Sequence, residues 1–329
     1  MSKTIEDVLD GLETIKERNQ GIIDQANSAT GKNDTNVSSA VNSLIEGYGQ
    51  GGDGDTVKGL IDGTATDVSN TTVEEVAPYA FYNSSELTNI NLPLVKKIGN
   101  RAFANCAKLS NTELPEGLTE IEELAFYGCK KLALTSLPKG ITVINKSTFE
   151  GCSALALTSL PEGVTSIATN SFLGCSNLAL TELPEAITTI PDYVFRNCTN
   201  ITLTTLPSGL KTIGSWSFAS CSNLLISSLP EGLTSIAGQC FMDCEKITIT
   251  TFPASLKSIG VNAFQNCKGL TTLTFKGKPT SINTYAFSGC TNLTTINVPW
   301  DEFEVAGAPW GAPSGTTIVY NYVEGGGEE

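Results

Sequence analysis

A regular repeat of about 23 residues constrains the fold of this chain more than any other feature of its sequence. Ten phenylalanines, the first at Phe81 and the last at Phe287, recur at an interval that is constant from Phe103 onwards. Three residues after each of the last nine lies a cysteine, and a Leu-Pro step breaks most units near the middle. One unit cannot bury its own apolar side chains, whereas stacked units share a continuous core. The spacing therefore predicts a mainly β solenoid of about ten units.

Each unit, for example the one from Cys152 to Phe172, contains two extended pieces joined by tight turns. The segment LALTSL predicts one short strand, the Pro-Gly step a turn, VTSI a second extended piece, and the residues around the phenylalanine a tight helical turn. In the middle units the alternation of apolar residues is interrupted, which predicts a bulge or corner near Thr158. The side chains expected to form the buried structural ladder are Phe103, Phe126, Phe149, Phe172, Phe195, Phe218, Phe264, Cys129, Cys152, Cys175, Cys198, Cys221 and Cys267.

The nine in-phase cysteines are interpreted as buried, reduced thiols. A metal site needs two or more ligands close together, and each repeat supplies one. Parallel side chains that point inwards lack the Cβ geometry of a disulfide, although their Cα atoms would be close enough. Free cysteine is also among the most buried residue types. The close pair Cys240 and Cys244 offers too few ligands for a metal, so we predict neither a metal nor a cofactor.

The charge balance and the lack of histidine argue against whole classes of function. The chain has 34 acidic and 20 basic residues, a net charge of −14, whereas nucleic-acid binding draws its affinity from clustered Lys and Arg. No histidine is present, which removes His-based nucleophile activation, metal ligation and proton transfer. We therefore expect neither a nucleic-acid partner nor an enzyme, and we assign no catalytic residues.

One polar position recurs with the repeat and gives the candidate binding surface. Hydroxyl groups both donate and accept hydrogen bonds, so a row of them on one face would suit a glycan or a protein ligand. The alternative is a threonine stack that satisfies itself and serves only strand propensity. The sequence does not decide which side of the solenoid these residues face. They are Thr112, Thr135, Thr158, Thr181, Thr204, Ser227 and Thr250.

Residues 1–49 lack the repeat and predict an α-helical segment for anchoring and oligomerisation. Their apolar residues alternate steps of three and four, the spacing of a coiled coil, and Asn19 occupies a core position that sets register. The alternative is a helical hairpin within one chain, in which a second short helix around residues 37–45 covers the same stripe. The residues assigned to oligomerisation are Ile5, Val8, Leu12, Ile15, Asn19 and Ile22.

The remaining segments complete the expected organisation. Residues 50–57, rich in Gly and Asp, predict a flexible linker before the repeats at 58–299. Residues 300–323 predict a cap over the apolar side chains and strand edges of the last turn, and residues 324–329 an acidic, disordered tail. With neither a signal-like start nor a stretch of about 18 apolar residues, we expect a soluble chain without membrane insertion. The cap residues are Trp300, Trp310, Tyr320 and Tyr322.

The repeat resembles the BspA-like leucine-rich repeat family, whose unit ends in the pattern I-x-x-x-A-F-x-x-C. The resemblance covers about residues 60–299 and implies a leucine-rich-repeat solenoid. In the middle units the second apolar residue of the strand lies one place earlier than in the family pattern. The Ala-Phe pairs that match the pattern are Ala102-Phe103, Ala125-Phe126, Ala263-Phe264 and Ala286-Phe287.

The two ends of the chain resemble tail-associated and minor structural proteins of bacteriophages that infect Gram-positive bacteria. The segments that carry this resemblance are 23–34, 44–49, 60–64, 298–312 and 318–322. It implies a tail or baseplate protein of the virion, assembled in the host cytoplasm. Its N-terminal segment would then dock on other virion proteins, and its repeats would bind a glycan or protein of the host surface. The alternative is a bacterial surface adhesin or an intracellular protein-binding module, as other BspA-like proteins are.

We predict that residues 1–48 make the chain a homo-oligomer, a trimer rather than a dimer, because Ile at core d positions disfavours a plain dimer. Light scattering of the full chain and of a chain that begins at Asp55 should then give different subunit numbers. If both are monomers, only the hairpin interpretation remains.

Overall fold

The computed structural model describes residues 66–324 of the chain. This part is a mainly β solenoid of about eleven turns with repeats of about 23 residues. Within these residues there is no α-helix, and hence none long and apolar enough to cross a membrane. The predicted helical segment at 1–49, the linker at 50–57 and the tail beyond Glu324 lie outside the described residues.

The solenoid divides into two compact units. The first unit comprises the residues up to Ile141 together with Asn145–Leu155. Its strands are β1 (Asp67–Ser69), β2 (Glu75–Val76), β3 (Asn89–Asn91), β4 (Lys97–Ile98) and β5 (Glu120–Ile121). Strand β1 pairs with β3, and β2, β4 and β5 form a second sheet in that order. All of these pairings are parallel, because each strand is paired with the corresponding segment of a neighbouring turn.

The second unit comprises Thr142–Ile144 and the residues from Ala156 onwards. Its strands are β6 (Val143–Ile144), β7 (Ser166–Ile167), β8 (Thr189–Ile190), β9 (Thr212–Ile213), β10 (Ser235–Ile236), β11 (Thr251–Phe252), β12 (Ser258–Ile259), β13 (Thr272–Phe275), β14 (Ser281–Ile282), β15 (Thr295–Asn297) and β16 (Thr317–Val319). They form a pair β6-β7, a five-stranded sheet β14-β12-β10-β9-β8 and a four-stranded sheet β11-β13-β15-β16. Every pairing is again parallel.

The two-residue strands follow from the isoleucine that ends the second extended piece of each unit, most often in a T-x-I step. In β7, Ser166 is exposed and Ile167 is buried, and Thr189 and Ile190 repeat this pattern in β8. The parallel register places Ile190 opposite Ile213 of the next turn, so the isoleucines form a column in the core. Alternation of exposed and buried side chains is the geometry of a pleated strand, and β-branched residues suit it.

The strand predicted at LALTSL is wrong for the middle units. Residues 155–160 contain no strand, and the chain bends at Thr158, where the sequence predicts a corner. The three leucines of this segment are buried, whereas Thr158 and the adjacent Ser159 are both exposed. Two consecutive exposed side chains break the period of two that a strand requires. The terminal units keep that period, and β13 buries Leu273 and Phe275 in strict alternation.

The predicted helical turn around each phenylalanine is also wrong. The backbone N–H groups of Tyr193, Phe195 and Asn197 donate to carbonyl groups of the next turn, whereas that of Cys198 donates back to Phe195. This alternation requires left-handed backbone conformations on both sides of the phenylalanine, with φ 61° at Tyr193 and 63° at Asn197. Helical residues all have negative φ and bond within the helix. Glycine suits the second left-handed position in other turns, for example Gly174 with φ 76°.

The phenylalanine rings form a stacked column in the core of each unit. In the first unit, from Phe81 to Phe149, adjacent ring centroids are 5.1 to 5.7 Å apart and the rings are within 8° of parallel. In the second unit, from Phe172 to Phe287, the spacing is 5.3 to 5.7 Å. Every ring of both columns is at most 4% exposed. These distances are typical of favourable offset stacking, so each ring is supported by its neighbours.

Two tryptophans cover the apolar end of the second unit. Trp300 and Trp310 are 3% and 0% exposed, and the Trp300 ring lies 5.4 Å from that of Phe275. The Trp310 carbonyl accepts a hydrogen bond from Phe287 N–H at 3.0 Å, and its indole N–H donates to Ala306 at 2.9 Å. Trp310 therefore takes the place that a further turn would occupy beside the last phenylalanine.

The other predicted cap residues do not close the sheet edge. Tyr320 and Tyr322 are only partly buried. Strand β16 pairs with β15 and ends the sheet order among the described residues. Residues 300–323 thus cover the edge of β15 by adding the strand β16, and β16 in turn forms the end of the sheet among the described residues.

We predict that Phe172→Ala lowers the free energy of unfolding by about 3 to 5 kcal/mol, because it opens a cavity in a fully buried column. Thermal and urea denaturation, with hydrogen exchange of the turns next to residue 172, measure this loss. The control is Phe303→Ala, since the Phe303 side chain is 87% exposed and should change stability by less than about 0.5 kcal/mol. Equal effects of the two substitutions would contradict the assignment of the core.

Candidate functional site

The recurring hydroxyl residues, which we call the threonine column, lie on the surface of both units. Thr112 and Thr135 are exposed in the first unit. In the second unit the exposed members of the column are Thr158, Thr181, Thr204, Ser227 and Thr250. The sequence did not decide which side of the solenoid these residues face. In the structure their side chains point to solvent in each unit.

The hydroxyl groups of the threonine column are available to a ligand. Neighbouring turns are joined here through the backbone, since Thr135 N–H donates to Thr112 O and Thr181 N–H to Thr158 O, both at 3.3 Å. Within residues 66–324, however, no side-chain hydroxyl of the column bonds to another protein group. The described residues therefore do not form a stack in which these hydroxyls bond to one another, and the hydroxyls can bond to water or to a bound molecule.

The first member of the column lines a cleft in the first unit. Thr112 lies in this opening of about 710 Å³ between the segments 89–93 and 110–117. Asn111 closes its inner end, because its side-chain oxygen accepts from Ile90 N–H at 2.9 Å and its amide donates to Ile90 O at 2.7 Å. The middle units bury a leucine at the position of Asn111, for example Leu134 and Leu157.

A second row of hydroxyls, which we call the sheet column, follows the five-stranded sheet of the second unit. It consists of Thr189, Thr212, Ser235, Ser258 and Ser281, aligned by the parallel register. The hydroxyl oxygens of Thr189 and Thr212 are 3.4 Å apart, and those of Ser235 and Ser258 are 3.2 Å apart. In the sequence, the sheet column is marked by a hydroxyl residue directly before an isoleucine, a pair that recurs once in each turn of this sheet.

The sheet column leads into a groove at the C-terminal side of the second unit. Ser235, Ser258 and Ser281 line a groove of about 550 Å³, together with the small residues Ala306 and Gly307. Hydroxyl groups beside small, apolar side chains can hydrogen-bond a polar ligand without excluding it sterically.

The cysteine ladder serves the interior and not the surface. The Cys129 S–H donates to the carbonyl of Phe103 in the preceding turn at 3.0 Å, and Cys221 bonds to Phe195 in the same way. The Phe195 carbonyl also accepts from the backbone N–H of Cys198 in its own turn at 3.0 Å. One buried carbonyl thus binds two donors, and the thiol satisfies its own polar group while it joins two turns.

Burial keeps these thiols neutral. It raises the pKa of Cys106 and Cys290 from the ordinary value of 9.0 to about 12. The pKa of Cys221 and Cys267, which lie deeper, is raised further, first by desolvation and then by neighbouring thiols. Because the thiolate is the nucleophile and the metal ligand, these positions do not supply either chemistry near neutral pH.

The pair Cys240 and Cys244 has two separate structural roles. Cys240 fills the small position before Phe241, with its sulfur 3.5 Å from the hydroxyl of Ser217, whereas Cys244 S–H donates to Phe218 O at 3.0 Å. Across the part of the chain that the structure describes, no three Cys, Asp or Glu side chains are close enough to hold a metal ion.

The other residues that the sequence predicted fall into two groups, those buried in the solenoid and those outside the described residues. The structural-ladder phenylalanines and cysteines are all buried in their units. The six residues assigned to oligomerisation, between Ile5 and Ile22, lie outside the described residues. The predicted site therefore consists of the threonine column, to which the structure adds the sheet column and its groove.

The repeat that builds these columns matches a known family. A model described as the BspA type leucine-rich repeat region, present in six copies, matches residues 74–202 and 188–306, well over half of the chain. This chain belongs to the BspA-type leucine-rich repeat family. The resemblance of the repeat is thus confirmed, whereas no similarity found supports the resemblance of the two ends to phage tail proteins.

Solved structures of bacterial leucine-rich repeat proteins are similar to this BspA-type chain. A T. pallidum leucine-rich repeat protein, TpLRR, is 31% identical over 48% of this chain and 78% of its own, with a TM-score of 0.43. A Bacteroides ovatus leucine-rich repeat protein is 22% identical, covering 78% and 84%, with a TM-score of 0.47. A leucine rich cell surface protein of Faecalibacterium prausnitzii is 24% identical, covering 77% and 83%, with a TM-score of 0.45. No curated protein matches the sequence.

We predict that Ellman's reagent labels none of the ten cysteines of the native chain at pH 8 and all ten in denaturant, because every thiol is buried and neutral. The raised folded pKa also sets a pH dependence. The thiols' contribution to stability is complete below the unfolded value of 9.0 and falls as pH rises towards about 12, since only the unfolded state loses protons in that range. Rapid labelling of the native chain at pH 8 would contradict this assignment.

Proposed function

We propose that this BspA-type chain is a non-enzymatic protein of a phage tail or baseplate whose repeats bind the surface of the host cell. The observation that carries the proposal is the threonine column, whose hydroxyls are exposed in both units and make no hydrogen bond within the described protein. A binding surface needs such unpaired donors and acceptors, because each one already bonded within the protein must be released before it can bind a ligand.

Because the repeats present the same hydroxyl groups many times, weak contacts at single turns can add up to stable binding of a ligand. Parallel neighbouring turns are about 4.8 Å apart, so each unit presents its hydroxyls at a regular interval. A ligand that also repeats, such as a polysaccharide or an array of surface proteins, can engage several turns together. If residues 1–48 oligomerise the chain, the effective concentration of the remaining sites rises further.

The charge of the chain favours a ligand without many negative groups. The net charge is −14, which opposes the approach of a polyanion through like-charge repulsion. A neutral sugar or a surface protein is therefore the better ligand class for the columns.

The tail location is supported by the resemblance of the two ends to tail-associated phage proteins. In this proposal the N-terminal segment binds other tail or baseplate proteins, and the repeats are directed to the host. A second candidate is a bacterial surface adhesin, which membership of the BspA-type family favours. The presence of the chain in purified virions, measured by mass spectrometry, distinguishes the two.

We predict that the labelled full-length protein binds host cells and that Thr181→Val with Thr204→Val weakens this binding at least about tenfold, because several hydrogen-bonding groups are lost together. Flow cytometry over a range of protein concentrations gives the apparent Kd. Thr165→Val with Thr291→Val is the control, since both threonines are exposed but lie outside the two columns.

The second measurement is adsorption of phage particles that lack the protein. If adsorption is unchanged without it and the full chain binds no cells, the attachment function is wrong. Binding that the column and control variants weaken equally would show that the threonine column is not the contact surface.

A further inference from the structure

Three side chains of the second unit form an ordered cluster at the surface. The Tyr193 and Trp216 rings occupy the same repeat position in successive turns and stack at 6.4 Å between centroids, within 8° of parallel. The Arg196 guanidinium carbon lies 4.6 Å from the Trp216 ring centroid and 5.8 Å from that of Tyr193. All three side chains are partly exposed. We call these residues the aromatic cluster.

The repeat position of Tyr193 and Trp216 has a left-handed backbone in most turns. Tyr193 and Trp216 have φ 61° and 59°, in the left-handed region that asparagine and glycine tolerate and bulky residues rarely adopt. The corresponding residues of neighbouring turns are Asn170, Gln239 and Asn262. The fold accepts polar side chains here, so it does not require the two aromatic residues.

The guanidinium of the cluster retains its hydrogen-bonding capacity. Among residues 66–324, Arg196 forms no ion pair and no side-chain hydrogen bond to protein. The other described arginine, Arg101, donates to the Tyr79 hydroxyl and to the Asn100 side chain, at 3.0 and 3.1 Å. Stacking on Trp216 fixes the plane of the Arg196 guanidinium while its N–H donors stay unused.

From this arrangement we infer that the aromatic cluster is a binding site for a neutral saccharide. The exposed parts of the two rings provide apolar surface for the C–H groups of a pyranose ring, and Arg196 N–H groups donate to its hydroxyl oxygens. The amide side chain of Gln239, in the next turn, supplies further donors and acceptors. The inference rests on the proposed binding function, for which it names a ligand class and a second site outside the two hydroxyl columns.

A saccharide fits the cluster better than other ligands. A protein hot spot also uses Trp, Tyr and Arg, but it lies in a desolvated pocket surrounded by apolar contacts. Here the next members of the same repeat position are Gln239 and Asn262, and Asp192 is exposed beside Tyr193. This polar, partly acidic surrounding favours hydroxyl-rich ligands and disfavours polyanions.

Tryptophan fluorescence can test the site directly. The chain has three tryptophans, of which Trp300 and Trp310 are buried and Trp216 is partly exposed. Acrylamide quenching of the full chain therefore reports mainly on Trp216. We expect at least one of maltotetraose, cellotetraose and chitotetraose to reduce this quenching in a saturable manner, and tetragalacturonate not to reduce it.

The variants take residues that the fold already accepts at the equivalent positions. Trp216→Gln copies Gln239, Tyr193→Asn copies Asn170, and Arg196→Gln copies Gln265. Each should weaken saccharide binding, measured by calorimetry, at least about tenfold, as expected for residues that dominate a site. The matched control is Tyr285→Asn, because Tyr285 is 59% exposed at the same repeat position but has Ser288 in place of the arginine.

The outcomes separate this site from the proposed function. Failure of all three neutral tetrasaccharides to bind overturns the site, as does equal weakening by Tyr285→Asn. Variants that lose stability but keep saccharide affinity would make the cluster a structural stack. If wild-type protein binds host cells and Trp216→Gln binds them equally well, the attachment function stands without this site. If wild-type protein binds the tetrasaccharide but no cells, the attachment function fails and the site remains.

Discussion

Every turn of this solenoid must hydrogen-bond its backbone to the next turn, and most other features of the structure depend on this requirement. Each described turn lacks a helix and contributes only short strands, most of them two residues long, so many of its amides find their partners only in a neighbouring turn. Around Phe195, alternate N–H groups point to the next turn, which forces the left-handed conformations on either side of the ring. The same geometry places the Phe195 carbonyl where the Cys221 thiol can reach it.

The sequence predicts the buried ladder well because a periodic core leaves a direct trace. A side chain that fills the same space in each turn recurs at the same spacing, as Phe172 and Phe195 do. The partner of each thiol was not predictable in this way. The acceptor of Cys221 is a carbonyl of the preceding turn, and a backbone acceptor has no residue signature.

The errors in secondary structure have one physical origin. Local patterns indicate strand or helix on the assumption that a segment satisfies its own hydrogen bonds or joins a regular sheet. The segment 155–160 has strand composition, but its exposed pair Thr158 and Ser159 breaks the alternation. The turn around Phe195 has helical spacing, but its amides are used between turns. In both places the contacts with a neighbouring turn override the local preference.

Since the interior of each turn is nearly the same, specificity for a ligand has to come from exposed positions that differ between turns. The threonine column is nearly uniform, so in the proposed function it offers regular but undiscriminating hydrogen-bonding groups. The position two residues before each phenylalanine differs instead, from Asn170 through Tyr193 and Trp216 to Gln239, on one repeated backbone conformation. A side chain there changes without disturbing the ladder beneath it. The proposed function and the proposed saccharide site are therefore compatible on one fold, the first as a regular surface with many weak contacts and the second as a single ordered cluster that selects among ligands.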